Sequence, residues 1–256
     1  MDDQVGTSGR SPLEGKVGAT VRGVAVGAAG ILAIFVYAVL VASIARGFVP
    51  GELGPTLTTV LSTLASGAGT LTVVALYLRL SDRSLSFLDV RTPGLRELGY
   101  VVAGTVAILV GNLGIGLAFQ RFGVDSASHT IIQTAEADPT ILVVLVPLSY
   151  LVIAPGEELL YRNVIQKSLR EWYSPVAGVV VASAIFAAVH LPAYSSPGST
   201  LMATLSTLSV VFVLALVLGA VYERTGNVVV SILVHGTFNA IAFAVTYAEL
   251  TGALGG

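Results

Sequence analysis

The chain contains no cysteine, which excludes disulfide bridges, thiolate nucleophiles and cysteine-ligated metals. Charge is nearly as scarce. Only 11% of its 256 residues are Asp, Glu, Lys or Arg, against about 25% in soluble domains. The formal net charge is −2, so there is no basic excess to hold a nucleic acid, and nucleic-acid partners are excluded. No internal repeat and no low-complexity tract is present beyond a Gly/Ala/Val richness usual in packed membrane helices. What fills the chain is apolar: 54% hydrophobic residues and a mean hydropathy of +0.86. These values define an integral membrane protein, with the lipid bilayer as its first partner.

Seven apolar runs approach the roughly 20 residues that a helix needs to cross a bilayer. They are 24–45, 55–78, 98–119, 140–160, 175–191, 200–222 and 228–247. Unbroken runs of this length predict helices, since a membrane β-barrel would alternate over about 10 residues per strand. The expected fold class is therefore all-α, a polytopic helical bundle of about seven transmembrane helices. With the N-terminus inside, the inner segments hold eleven of the thirteen basic residues, and only Arg46 and Arg121 fall outside. That asymmetry follows the positive-inside rule. It predicts a multi-pass protein of the cell membrane with a cytoplasmic N-terminus and an external C-terminus. The first 23 residues read as a polar tail, and the run after them is too long for a signal-peptide core, so a retained anchor is expected.

Against this background a few polar groups stand out. Thr140 to Pro155 is sixteen residues without a charge, and two adjacent carboxylates, Glu157 and Glu158, follow it. A charge in hydrocarbon costs about 2.5–3.5 kcal/mol on insertion scales and faces a bundle interior, where it marks function. Arg162 lies four residues beyond Glu158, acid first, which is the favourable order for a helical ion pair. Glu157, turned about 100° away, is left free for chemistry. Two of the three histidines, His190 and His235, sit in apolar runs. Phe186 precedes His190 by four residues and Asn239 follows His235 by four, so each pair shares a helix face. His129, in the polar outer loop 123–139, reads as a solvent-exposed bystander.

A helical hairpin turning at Tyr173–Ser174 would bring Glu157 and His190 to the same height, since the two are equidistant from that midpoint. This places both well above the inner turn. Arg162, Asn163, Gln166 and Lys167 pull the other way, toward a helix end exposed to water. A kink is expected at Pro155-Gly156.

A carboxylate with imidazoles can deprotonate a water, and an Asn or second His can stabilise an oxyanion. No serine stands in a G-x-S-x-G context, which disfavours a serine nucleophile. Two imidazoles and a carboxylate also form a His₂Glu donor set for a divalent metal such as zinc, although the spacing is not H-E-x-x-H. Either route is hydrolysis by an activated water. Two non-enzymatic readings compete. One is a membrane immunity or scaffold protein that keeps the polar cluster for folding. The other is a proton-coupled transporter, for which paired inverted halves would be expected and are not found.

Together, Glu157-Glu158-x-x-x-Arg162, Phe186-x-x-x-His190 and His235-x-x-x-Asn239 resemble the three motifs of the CPBP family, the type II CAAX prenyl endopeptidases and Abi-type bacteriocin-processing or immunity proteins. The likeness covers 140–247, the expected catalytic core of a 24–247 membrane domain, with 248–256 a short tail. It implies an intramembrane protease with a membrane protein or peptide as substrate, in some members a prenylated CAAX tail. It further implies that Glu157 is the general base, assisted by His190. His235 and Asn239 would then polarise the scissile carbonyl, and Glu158 and Arg162 would support the first motif. Whether zinc takes part is left open by the resemblance.

Overall fold

A computed structural model describes residues 11–49, 51–124, 127–195 and 199–253. Residues 1–10 and 254–256 of the two tails, with Arg10 among the basic residues counted above, and part of the outer loop 123–139 lie outside the described residues. Among the described residues there are nine helices and no strand. They are α1 (Pro12–Phe48), α2 (Pro55–Leu80), α3 (Leu95–Arg121), α4 (Thr130–Ala135), α5 (Thr140–Leu169), α6 (Pro175–Val189), α7 (Leu191–Tyr194), α8 (Leu201–Thr225) and α9 (Val228–Leu250). Six of them are long and apolar enough to span a membrane. The expected fifth span, α6, has 15 residues and is shorter than a full crossing.

The helix starts are written locally. Proline stands at the first helical position of α1, α2 and α6, where its missing N–H costs nothing. Ser11 and Glu14 form a capping box that starts α1 well before Val24, so part of the stretch read as a polar tail is helix. Ser174 caps α6 and Asn227 caps α9 through side-chain oxygens. Gly226, at φ 55, ends α8 in the left-handed region, so the turn into α9 is very tight.

The bundle closes through small residues. Every buried residue of α1 is Gly or Ala, and α1 packs along α2 and α6. A side chain at Gly69 would collide with the α1 backbone at Ala33 and Ile34, so only glycine permits that approach of α2. This is membrane packing by close backbone contact. The core proper lies between α5, α6, α8 and α9, around Leu160, Ile165, Phe186, Leu218 and Val234.

Helix α5 departs from a regular α-helix. Pro147 and Pro155 supply no N–H, and π-helical turns run through Ser149–Ile153 and Leu159–Gln166, flanking the five α-helical residues Ala154–Glu158. Such wide turns occur chiefly at functional sites. The prolines signal the disturbance; its form as two π segments has no signature in the sequence.

Candidate active site

The two adjacent glutamates of α5 face different surroundings. Glu158 turns into the bundle and has no solvent exposure. Its Oε2 accepts from Arg162 Nε at 3.0 Å and its Oε1 accepts from His235 Nδ1 at 3.0 Å. Arg162, equally buried, also places its guanidinium 5.3 Å from the Phe186 ring centre. Glu157 turns into a cavity, its side chain 23% exposed, and accepts no hydrogen bond from another described residue.

Both imidazoles present the same nitrogen to Glu157. His190 closes α6, and its Nδ1 lies 2.7 Å from the Phe186 carbonyl oxygen. A carbonyl only accepts, so this Nδ1 carries the proton and Nε2 keeps its lone pair. The ring also lies 4.4 Å from that of Phe186. The Nδ1 of His235 donates in the same way to the Glu158 carboxylate. Glu157 Oε2 then sits 3.9 Å from His190 Nε2 and 4.0 Å from His235 Nε2. These separations are too long for direct hydrogen bonds. Each suits a water held at about 2.8 Å from the carboxylate and from one imidazole.

The same atoms also offer a donor set to a metal. The donor set is the His₂Glu of zinc hydrolases, and each imidazole has the outer partner, a carbonyl or a carboxylate, that orients metal-bound histidines. Ligands about 2.0–2.1 Å from a tetrahedral ion lie roughly 3.3–3.4 Å apart. The set fits zinc in chemistry, but its side chains would have to draw together by about half an ångström. Among the described residues no group of three or more His, Cys, Asp or Glu is spaced to hold a metal as it stands.

Asn239, one turn beyond His235 on α9, lines the same cavity and makes no hydrogen bond to another described residue. The cavity encloses about 620 Å³ and carries an apolar wall that includes Val211, Leu214 and Phe243. The polar residues of its lining that the motifs do not include are Asn112 of α3, His129, Tyr194 and several Ser and Thr hydroxyls, such as Ser66 and Thr207. Asn112 is an amide inside an apolar span and was visible as such. It lies outside the three motifs, which sit on the last four helices, whereas α1, α2 and α3 also wall the site.

His129 corrects the expectation of a solvent-exposed bystander. It is half-buried, lines the cavity, and meets Tyr194 edge-on at 5.0 Å. Its Nδ1 accepts from the Ile131 N–H at 3.0 Å, capping α4. Burial, with a smaller contribution from nearby His190, lowers its pKa to about 4. Burial of the Tyr194 phenol, reinforced by Glu157, pushes that group up to about 12.

The expectation that Arg162, Asn163 and Gln166 lie in water is also overturned, since all three are fully buried. Tertiary partners make this possible. Gln166 Nε2 donates to the Gly219 carbonyl at 3.1 Å and to Glu223 Oε1 at 3.0 Å, and Arg170 donates to Glu223 Oε2 at 2.6 Å. The Tyr222 hydroxyl donates to Asp89 Oδ2 at 2.5 Å, and its oxygen lies 3.4 Å from Asn163 Oδ1. Lys167 Nζ reaches Asp89 Oδ2 at 2.7 Å. A polar chain thus links Glu158 to the end of the bundle that carries Asp89 and Arg170, and the hairpin level of Glu157 and His190 stands.

Comparison with known proteins agrees with this architecture. Residues 139–241 match the family model described as Type II CAAX prenyl endopeptidase Rce1-like. That segment runs from the start of α5 into α9 and contains all seven named residues of the three motifs. The match supports the likeness to the CPBP family that the motifs carry, and the matched family is one of proteases. No curated protein and no solved structure gives a match.

Proposed function

We propose that the protein is an intramembrane endopeptidase that hydrolyses a peptide bond of a membrane-associated polypeptide with a water activated by Glu157. The observation that carries this reading is the convergence of Glu157 Oε2, His190 Nε2 and His235 Nε2, separated by 3.9 and 4.0 Å, on one cavity. A water bridging Glu157 and His190 gives its proton to Glu157 as its oxygen attacks the carbonyl carbon. His190, fixed as the Nδ1–H tautomer, holds that water through Nε2. The Asn239 amide is free to donate to the developing oxyanion. Glu158 stands behind His235 as a buried carboxylate stands behind the histidine of a hydrolytic triad. It orients the ring and stabilises positive charge on it. Collapse of the tetrahedral species returns the proton from Glu157 to the leaving amine. A divalent metal, if bound, would be held by Glu157, His190 and His235 and would polarise the water as a Lewis acid.

The basic residues support an N-terminus on the cytoplasmic side and a C-terminus outside. The test is a census of peptide termini in membranes of cells expressing the protein or its Glu157→Gln variant. New termini that depend on Glu157 are expected. Identical terminus profiles at equal expression overturn the reading.

A further inference from the structure

The cavity that holds Glu157 lies toward one end of the bundle, and that end is poor in positive charge. The N-termini of α1, α3, α6 and α9 share one face with the C-termini of α2, α5 and α8. Across this face Lys167 meets Asp89, Arg83 meets Glu171, and Arg91 donates to the Thr225 carbonyl. Leaving aside buried Arg162, nine described basic residues belong here: Lys16, Arg22, Arg79, Arg83, Arg91, Arg96, Lys167, Arg170 and Arg224. The opposite face carries Arg46 and Arg121 alone among the described residues. By the positive-inside rule, this sparse face is the non-cytoplasmic one.

The cavity belongs to the sparse face. Its lining includes His129 and Ile131 at α4, Ala193 and Tyr194 of α7, and residues in the halves of α2, α8 and α9 nearest that end, such as Ser66, Thr207 and Thr246. A second, open groove of about 430 Å³ lies between the start of α2 and α4, lined by Pro55, Thr58, Thr59, Thr130 and Thr134. It shares Ser62 and Ile131 with the catalytic cavity. The threonine hydroxyls both donate and accept, as an extended backbone requires, and the apolar cavity wall beyond them suits the side chains of a hydrophobic segment. Toward the basic face, the way from Glu157 is filled by buried Glu158, Arg162 and Gln166, with half-buried Glu223 beyond them.

We infer that the substrate is an extended, largely apolar polypeptide segment at the non-cytoplasmic membrane surface, and that it reaches Glu157 from the α4–α7 face along the groove between α2 and α4. A tail prenylated in the cytoplasm would arrive at the wrong face. This inference rests on the endopeptidase reading for the word substrate, and on the positive-inside orientation for the side. The geometry of access is independent of both.

The absence of cysteine makes the test clean. Single cysteines are placed in the full-length protein at Ser128→Cys beside α4, at Ser66→Cys and Ala193→Cys on the cavity lining, and at Ser84→Cys in the loop between α2 and α3. Intact cells are treated with a membrane-impermeant maleimide before and after permeabilisation. The expected result is labelling at positions 128, 66 and 193 in intact cells, and at 84 only after permeabilisation. Labelling of 84 but not 128 in intact cells reverses the orientation and overturns the inference. Labelling of 128 from outside, with 66 and 193 reached only after permeabilisation or not at all, overturns the entry route while the orientation stands. Two cavity reporters on different helices guard against one variant failing to fold. Labelling reads access and not cleavage, so its failure is distinguishable from failure of the Glu157 chemistry.

Discussion

Exchanging Glu158 for Gln keeps the size of the side chain and removes one charge from a position without solvent contact. The carboxylate normally accepts from Arg162 Nε and His235 Nδ1, each at 3.0 Å. The amide oxygen can replace one of these contacts, but the guanidinium is left as a buried cation without its counter-ion. Removing one partner of a buried pair costs about 3–5 kcal/mol, a large share of the roughly 5–15 kcal/mol by which folded proteins are stable. At about 2–4 °C per kcal/mol for chains of 150–250 residues, the midpoint should fall by roughly 6–20 °C. The neighbouring change Glu157→Gln should do the reverse. Glu157 accepts no hydrogen bond from a described residue, so stability should stay within about 0.5 kcal/mol, while removal of the base should lower cleavage about 10²–10⁴-fold. Thermal unfolding in detergent, followed by the monodisperse fraction, reads the first quantity, and the terminus census reads the second. The double variant Glu158→Gln/Arg162→Gln removes both charges and should recover much of the lost midpoint. A Glu158→Gln protein that melts with the wild type, or a double variant less stable than the single, refutes this division of roles.

Other expectations follow from the same geometry. A methyl group at residue 156 would meet Thr70 Oγ1 of α2, so Gly156→Ala should cost about 1–3 kcal/mol by overpacking and shift the backbone that carries Glu157. Thr70→Ala should restore part of that stability in a double variant, and a double variant no more stable than the single would refute the collision. Asn239→Ala should lower turnover about 10²–10³-fold as a lost oxyanion donor, with the unfolding midpoint unchanged. Because the pKa of His129 is lowered from 6.5 to about 4, the unfolded chain binds its proton first as pH falls. Stability should therefore decline from pH 6.5 to 4, and His129→Gln should flatten that decline in midpoint-versus-pH curves. Treatment with a strong chelator should leave cleavage intact if Glu157 acts on water alone, and loss restored by zinc would assign the water to a metal.

Much of this protein can be read from its one-dimensional pattern because a bilayer leaves few options. Apolar runs must become helices, their ends follow proline, serine and glycine signals, and polar residues stranded within them mark the site. The i to i+4 spacings placed Glu158 beside Arg162 and Phe186 beside His190, and the equal distances from Tyr173–Ser174 brought Glu157 level with His190. Those relations are local or nearly so. What lay beyond the sequence depends on contacts between distant segments. The height of His235 on α9 follows from packing against α5, and its tautomer follows from Glu158. The burial of Arg162, Asn163 and Gln166, which composition alone assigns to water, depends on Gly219, Tyr222 and Glu223 of α8. The inclusion of His129 in the cavity depends on α7 closing over α4. A side chain's polarity is a property of the residue. Whether it faces water is settled by which neighbours can replace that water, and only the tertiary structure supplies them.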